Sequence, residues 1–265
     1  MRLELPAPDT TRLEKSPLQL VVCQVRFEDI PSVTDPRLAL AIHGRLGGRE
    51  GPYPILEQLK GEQLEVTLGI GGSPIATQTS PLNGWRLFSQ GRDWIVSLLP
   101  GSVSLETTAY TIWDGDFNSR LASLLDAVSE ELRPALEQRL GLRYVDLLTE
   151  PEVTSPVGWQ GWVETKFLGP ILHERIGPLM RSAQQQLEIE TGGEARCTLR
   201  HGVFPDRATA NRTNYLLDWD VYRDQAKPFD VADIERAATS FNSLALQLFQ
   251  QAITAEMFSF LKTGR

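Results

Sequence analysis

Thiols and imidazoles are scarce in this chain of 265 residues, which has two cysteines and three histidines. Cys23 and Cys197 cannot build a disulfide framework, and they fit a reducing compartment. His43, His173 and His201 show no paired spacing. Cys197 and His201, four apart on one strand face, would supply two metal ligands only if other residues completed the set. No apolar run approaches the roughly 20 residues that span a bilayer. Met1 to Lys15 mixes charge with proline and has no apolar segment of the kind a secretion signal needs. Basic residues are also in deficit: 26 Lys+Arg against 34 Asp+Glu give a net charge of −8. That balance argues against broad binding to a phosphate backbone and leaves room only for a local arginine groove. P-loop spacing, G-x-G-x-x-G after a strand, H-E-x-x-H and a nucleophile elbow are all absent. Gly69-Ile70-Gly71-Gly72 follows a strand but precedes neither Lys-Ser/Thr nor a helix, and reads as a loop. The expectation is a cytoplasmic protein with no cofactor and no metal.

What is present is an ordinary globular composition, 41% hydrophobic and 23% charged, in a length suited to one large domain or two small ones. Residues 1–16 read as an exposed arm. The run Leu18 to Phe27 reads as a mostly buried strand, followed by a helix from Pro36 to Leu46 and a short helix from Pro54 to Leu59. Strands at Gln63–Leu68, Trp85–Ser89, Asp93–Leu99 and Val103–Tyr110 read as a meander. Asp114 is placed to cap a helix carrying Phe117, Leu121, Leu125, Val128 and Leu132, with Pro134 kinking it before a second piece over Ala135 to Leu140. The later chain repeats this order. Leu142-Arg143-Tyr144-Val145 matches Val25-Arg26-Phe27 at an offset of 117 (143 − 26). A helix is expected over Lys166 to Leu179, then strands at Gln185–Glu190, Ala195–Val203 and Tyr215–Tyr222, with Thr191-Gly192-Gly193-Glu194 as a hairpin turn. Asp230 caps a last long helix with Ile234, Phe241, Leu248 and Ile253 on one stripe. The fold class is α+β: two related halves, 17–140 and 141–265, each a mostly antiparallel sheet covered by helices, and both able to share one continuous sheet.

Several stretches together resemble a known family. They are Pro17-Leu18 leading into Gln24-Val25-Arg26-Phe27, Trp85, Leu105-Glu106-Thr107-Thr108-Ala109-Tyr110 with Trp113 and Phe117, and Arg139-Leu140-Gly141-Leu142-Arg143-Tyr144-Val145-Asp146. Leu217-Asp218-Trp219-Asp220 and Phe249 with Ile253-Thr254 complete them. The chain from Pro17 onward resembles a sporadically distributed group of bacterial conserved hypothetical proteins of about this length. The resemblance implies the fold layout, brings no activity, and suits an accessory role such as phage defence or toxin neutralisation.

Three constellations carry chemistry. Glu188 and Glu190 share one strand face and Asp218 and Asp220 another, so strands that brought the four together would suit magnesium and a phosphate ester. Arg86, Arg143, Arg196 and Arg200 would then hold the phosphates. Glu188-Ile189-Glu190 approaches the Glu-x-Glu-x-Lys signature of tunnel-shaped triphosphate hydrolases, but Gly192 stands at the lysine position. Alternating polar residues on a solvent-facing sheet explain the same pattern. Arg26 and Arg143 each sit between large apolar residues, which requires a carboxylate such as Asp146 or Asp218, or else an anion bound to a concave sheet. Trp159 and Trp162 in a Pro/Gly/Ser-rich connector either pin it to the core or, with Phe258 of the last helix, contact a partner. The functional expectation is a non-enzymatic binding protein acting through a protein partner or through its own second copy. A metal-dependent phosphohydrolase and a nucleic-acid or nucleotide binder stand as alternatives.

Overall fold

Ten strands among the described residues join into one sheet in which every strand pair is antiparallel. The structure, a computed structural model, describes residues 3–68, 74–150, 153–206 and 212–264. The strands are β1 (Leu18–Phe27), β2 (Ile55–Leu68), β3 (Pro74–Phe88), β4 (Trp94–Leu99), β5 (Ser102–Thr107), β6 (Leu136–Leu148), β7 (Ala183–Gly192), β8 (Ala195–Pro205), β9 (Thr213–Arg223) and β10 (Lys227–Pro228). They lie in the order β2-β3-β4-β5-β1-β6-β9-β8-β7, with β10 on β6. β1 leaves the sheet through helices and the chain returns by the meander β2 to β5, whose last strand pairs β1. β6 likewise leaves, and returns by β7 to β9, whose last strand pairs β6. β1 and β6 meet in the middle, with Gln24 opposite Gly141, Val22 opposite Arg143 and Arg26 opposite Arg139. Advancing Val22 and Arg26 by 117 residues gives Arg139 and Arg143, so this register maps onto itself.

Side chains alternate across a strand, and the alternation here separates two very different faces. Val21, Cys23, Val25 and Phe27 of β1 are buried, whereas Arg26 between them is exposed. The buried face is covered by α1 (Pro36–Arg45), α2 (Asn118–Glu131), α3 (Thr165–Leu168), α4 (Val231–Ala252) and α5 (Ala255–Thr263). Asp35, Asp230 and Thr254 accept hydrogen bonds from the backbone N–H of Arg37, Asp233 and Met257, fixing where α1, α4 and α5 begin. α4 lays Ile234, Ala238, Phe241, Ala245, Leu248 and Ala252 onto the core and packs on β6, β9 and α2. Tyr144 Oη donates to Asn242 Oδ1 at 2.6 Å across that contact. Phe117 sits among Trp94, Tyr110 and Trp113 beneath α2. The opposite face has no helix on it among the described residues.

The structure departs from the sequence reading at five places. Residues 55–59 are strand, since β2 starts at Ile55 and pairs with β3 from Ile55 opposite Phe88 to Leu59 opposite Gly84, so long-range ladder pairing overrides the local helix signal. Asp114 does not cap a helix: its ψ is 132° and Gly115 has φ +81°, so α2 begins only at Asn118, and Asp116 pairs with Arg120 instead. Pro134 kinks nothing. α2 ends at Glu131, Arg133 turns left-handed at φ +51°, and 136–140 belong to β6. Over 166–179, α3 lasts four residues and 3-10 turns follow at Gly169–Leu172 and Gly177–Leu179, because Pro170 and Pro178 cannot donate to a continuing helix. The last helical stripe breaks at the extended Ile253, which separates α4 from α5. The hairpin turn between β7 and β8 forms with Gly192 at φ +88° and Gly193 at φ +73°, the left-handed pair its tight geometry requires.

Gly69-Ile70-Gly71-Gly72 lies outside the described residues. The N-terminal arm is laced along the last helices: Gln247 Nε2 donates to the Pro6 carbonyl, Gln250 bonds both backbone groups of Asp9, and Lys15 N–H reaches the Leu261 carbonyl. No described helix is long and apolar enough to cross a membrane.

Candidate functional site

The uncovered face gathers nearly every charged residue singled out in the sequence. One register row runs Glu106–Val22–Arg143–Asp220–Thr198–Glu188 across β5, β1, β6, β9, β8 and β7. The next row runs Arg86–Ser97–Ser104–Gln24–Gly141–Tyr222–Arg196–Glu190. Arg200 stands opposite Asp218, and Arg26 opposite Arg139. Arg26, Arg143, Arg196 and Arg200 therefore share a face with Glu188, Glu190, Asp218 and Asp220.

Asp218, Asp220 and Glu190 on this face act as counterions. Arg143 donates to Asp218 twice, Nε at 2.6 Å and Nη2 at 2.7 Å, and Arg200 adds a third contact at 3.6 Å. That pairing holds the Arg143 pKa above its ordinary value, the hydrogen bond it donates to Asp218 being the largest cause. Arg139 Nη2 donates to Asp220 at 2.9 Å while its guanidinium lies over the Tyr222 ring and folds above Gly141. A Cβ at residue 141 would stand 2.3 Å from Arg139 Nη1, so glycine makes room for the arginine. Glu190 lies 3.3 Å from Arg196, and Glu188 accepts from Thr198 Oγ1 at 2.9 Å. The two acidic pairs sit on either side of β8, two strand spacings or about 10 Å apart. A magnesium ion with ligands at about 2 Å cannot bridge that gap. Among the described residues, no three His, Cys, Asp or Glu form a metal-holding group.

Arg143 thus finds Asp218, one of the two partners expected for it. Arg26 corrects the expectation of a buried arginine: it is exposed, and no hydrogen bond or ion pair reaches it among the described residues. Its cross-strand neighbours are Ser102 on β5 and Arg139 on β6. Glu106 on the same face is partly buried, which pushes its pKa up, and Arg86 Nε is buried without a partner.

Trp159 is corrected as a partner contact. It is 0% exposed, its Nε1 donates to Thr213 Oγ1 at 3.1 Å, and its ring packs 5.6 Å from Tyr215. Trp162 is half-buried edge-on to Phe260, and Phe258 is half-buried with Lys262 above its ring. Cys197 and His201 share the helix-side face of β8, but four residues of strand separate them by about 13 Å, too far to hold one ion. Burial pushes the Cys23 and Cys197 thiols up to about 12, where they are inert. Tyr215 Oη donates to the Phe167 carbonyl and so accepts from His201 Nδ1, leaving His201 Nε2 a buried acceptor with no donor.

Sequence reasoning passed over three residues at the centre of the open face: Arg139, Gln24 and Ser102. The alternation Arg139-x-Gly141-x-Arg143 on one strand is the signal that would have found the first. No family model matches the chain, and no curated protein matches it either.

Proposed function

We propose that this is a non-enzymatic binding protein that acts through a protein partner, and that the uncovered sheet face is where the partner docks. The observation that carries the reading is that face itself: nine strands wide, free of helices among the described residues, and lined mostly by half-buried and exposed side chains. A sheet face of that extent offers the area of a standard protein interface. Arginines engage Asp218, Asp220 and Glu190, and Thr198 engages Glu188, which supports a recognition surface over a metal-dependent phosphohydrolase. The self-mapping register of β1 and β6 supports reading the two halves as related copies of one unit. The family resemblance suits an accessory role, with phage defence or toxin neutralisation as the expected settings.

The test is a tagged pull-down at moderate salt with mass spectrometry, comparing wild type with two variants. Gln24→Trp adds bulk at the centre of the open face. Leu179→Ser alters the most exposed leucine among the described residues, 81% accessible and away from that face. A stoichiometric partner lost with Gln24→Trp and retained with Leu179→Ser is the expected outcome. A partner retained with Gln24→Trp removes the open face from the interface. Recovery of the chain's own second copy alone, with a doubled mass by light scattering, replaces a foreign partner with a homo-oligomer.

A further inference from the structure

We infer that the centre of the open face receives an acidic segment of the protein partner, one carboxylate of which seats on Arg26. This deepens the reading that the face docks a protein, and rests on it. The argument begins with two equivalent positions in the sheet. Arg143 on β6 stands in register with Asp220 on β9 and is held by Asp218 two residues along. Arg26, at the matching place on β1, stands in register with Ser102 on β5, and the next β5 residue on that face is Ser104. A carboxylate therefore stands beside one arginine, and a hydroxyl beside the other.

On its second side Arg26 meets Arg139 directly opposite. Like charges at such a pair lie with Cβ atoms about 5 Å apart and repel. Arg139 has Asp220 for a counterion, and Arg26 has none among the described residues. A guanidinium presents five donors in a planar fork that matches a carboxylate; the Arg139 fork turns over Gly141 toward Asp220 on β9, and the Arg26 fork is left to take a second anion. The floor beside Arg26 is low, made by Ser102, Ser104 and Gln24, while Arg139 covers Gly141, so an incoming carboxylate can reach Arg26 from the serine side. The opening is a single site: Asp218 and Asp220 on β9 neutralise Arg143 and Arg139, the charge of Arg86 acts on Glu106, and Arg26 is the guanidinium of this cluster without a counterion among the described residues.

The surroundings select the source of the anion. Asp218, Asp220 and Glu106 flank the seat, and a nucleic-acid strand with a phosphate every few ångströms would run into them. A protein segment can place one or two carboxylates over Arg26 and neutral residues elsewhere. A free anion on an open, solvated surface has little besides this guanidinium to hold it.

The probe is fluorescein-labelled tetraglutamate followed by anisotropy at low salt, with tetraglutamine as the uncharged control. Inorganic phosphate and a single-stranded oligonucleotide serve as competitors. The expected result is binding of tetraglutamate, about tenfold weaker with Arg26→Ala, and absent with Arg26→Glu and with Ser102→Asp. Arg37→Glu, an exposed substitution on α1, leaves it unchanged. Absence of binding, or binding indifferent to Arg26→Glu, overturns the inference. Tighter capture of the oligonucleotide replaces the peptide with nucleic acid, and displacement by phosphate at equal charge replaces it with a free anion. Failure here is separable from failure of the docking surface. A pulled-down partner lost with Gln24→Trp but kept with Arg26→Glu preserves the surface and removes the acidic seat.

Discussion

Arg26 and Arg143 hold matching places in the two halves of the sheet, and the company they keep differs on both faces. On the open face, Arg143 has Asp220 and Asp218 where Arg26 has Ser102. On the helix side, Leu140 of β6 faces Arg223, while Cys23, which advances by 117 to Leu140, faces Leu105. Arg223 is 4% exposed and is held by Glu137 at 2.7 and 2.6 Å and by Asp233 at 2.8 Å. The β6–β9 side thus fills equivalent positions with charge and neutralises each charge internally. The β1–β5 side fills them with Leu105 and a serine and leaves one arginine uncommitted. One scaffold tolerates both solutions because a buried ion pair with full hydrogen bonding and a packed apolar side chain come out near each other in net stability. The side that neutralises its own charges needs nothing further, and the other side is the one to which our proposal assigns recognition.

Breaking the buried pair tests that equivalence most severely. Glu137→Ala leaves the Arg223 guanidinium in the core with Asp233 as its main counterion, and is expected to cost about 3–5 kcal/mol in urea unfolding. Installing the apolar solution of the other side, Glu137→Leu with Arg223→Leu, is expected to recover most of that loss. A double variant as unstable as Glu137→Ala would show that the two sides are not interchangeable.

Asp146 gives a pH-dependent version of the same contrast. It lies on the helix side of β6, 6% exposed, with no hydrogen bond or ion pair on its carboxylate among the described residues. Burial, and then the charge of Asp218, push its pKa from 3.8 up to about 8. The folded state therefore keeps a proton that the unfolded chain releases above pH 4. Stability from this group is full below pH 4, falls as pH rises, and levels off above pH 8. Between pH 5 and 8 its contribution drops by about 2–4 kcal/mol. Asp146→Asn removes that slope, so the gap in melting temperature between variant and wild type is expected to widen toward pH 8. A gap that stays constant with pH would mean that Asp146 is ionised throughout.

How much of this could be read beforehand depended on the range of the interaction. Strands with strict alternation, such as Leu18–Phe27 and Tyr215–Tyr222, and the capping Asp230 were legible, because period and cap are local signals. Helix ends set by backbone dihedrals were not: the left-handed Arg133 and the extended Ile253 carry no distinctive residue type. The candidate site was legible in its parts. Alternation placed Glu188 with Glu190 and Asp218 with Asp220, but strand order decides what stands between them, and β8 inserts Arg196 and Arg200. Burial of Arg26 was misjudged because apolar neighbours in sequence belong to the opposite face of a strand. Trp159 was readable only as a large aromatic needing cover, which the core supplies.

The smallest expected effect is also the most direct reading of the two arginines. Arg143→Ala takes the bidentate partner from Asp218, whose side chain is 4% exposed, and leaves it Arg200 at 3.6 Å. Because Arg143 is itself 44% exposed and solvent screens it, the loss is expected to be about 1–2 kcal/mol rather than the full cost of a buried pair. Arg26→Ala removes no hydrogen bond or ion pair found among the described residues and relieves its repulsion with Arg139, so its unfolding free energy is expected within about 0.5 kcal/mol of wild type. Raising the salt concentration would shrink the Arg143 effect only in part, since Asp218 stays buried. Equal losses at the two positions would mean that Arg26 has a partner inside the folded chain, and the division between a self-neutralised side and an available one would fall.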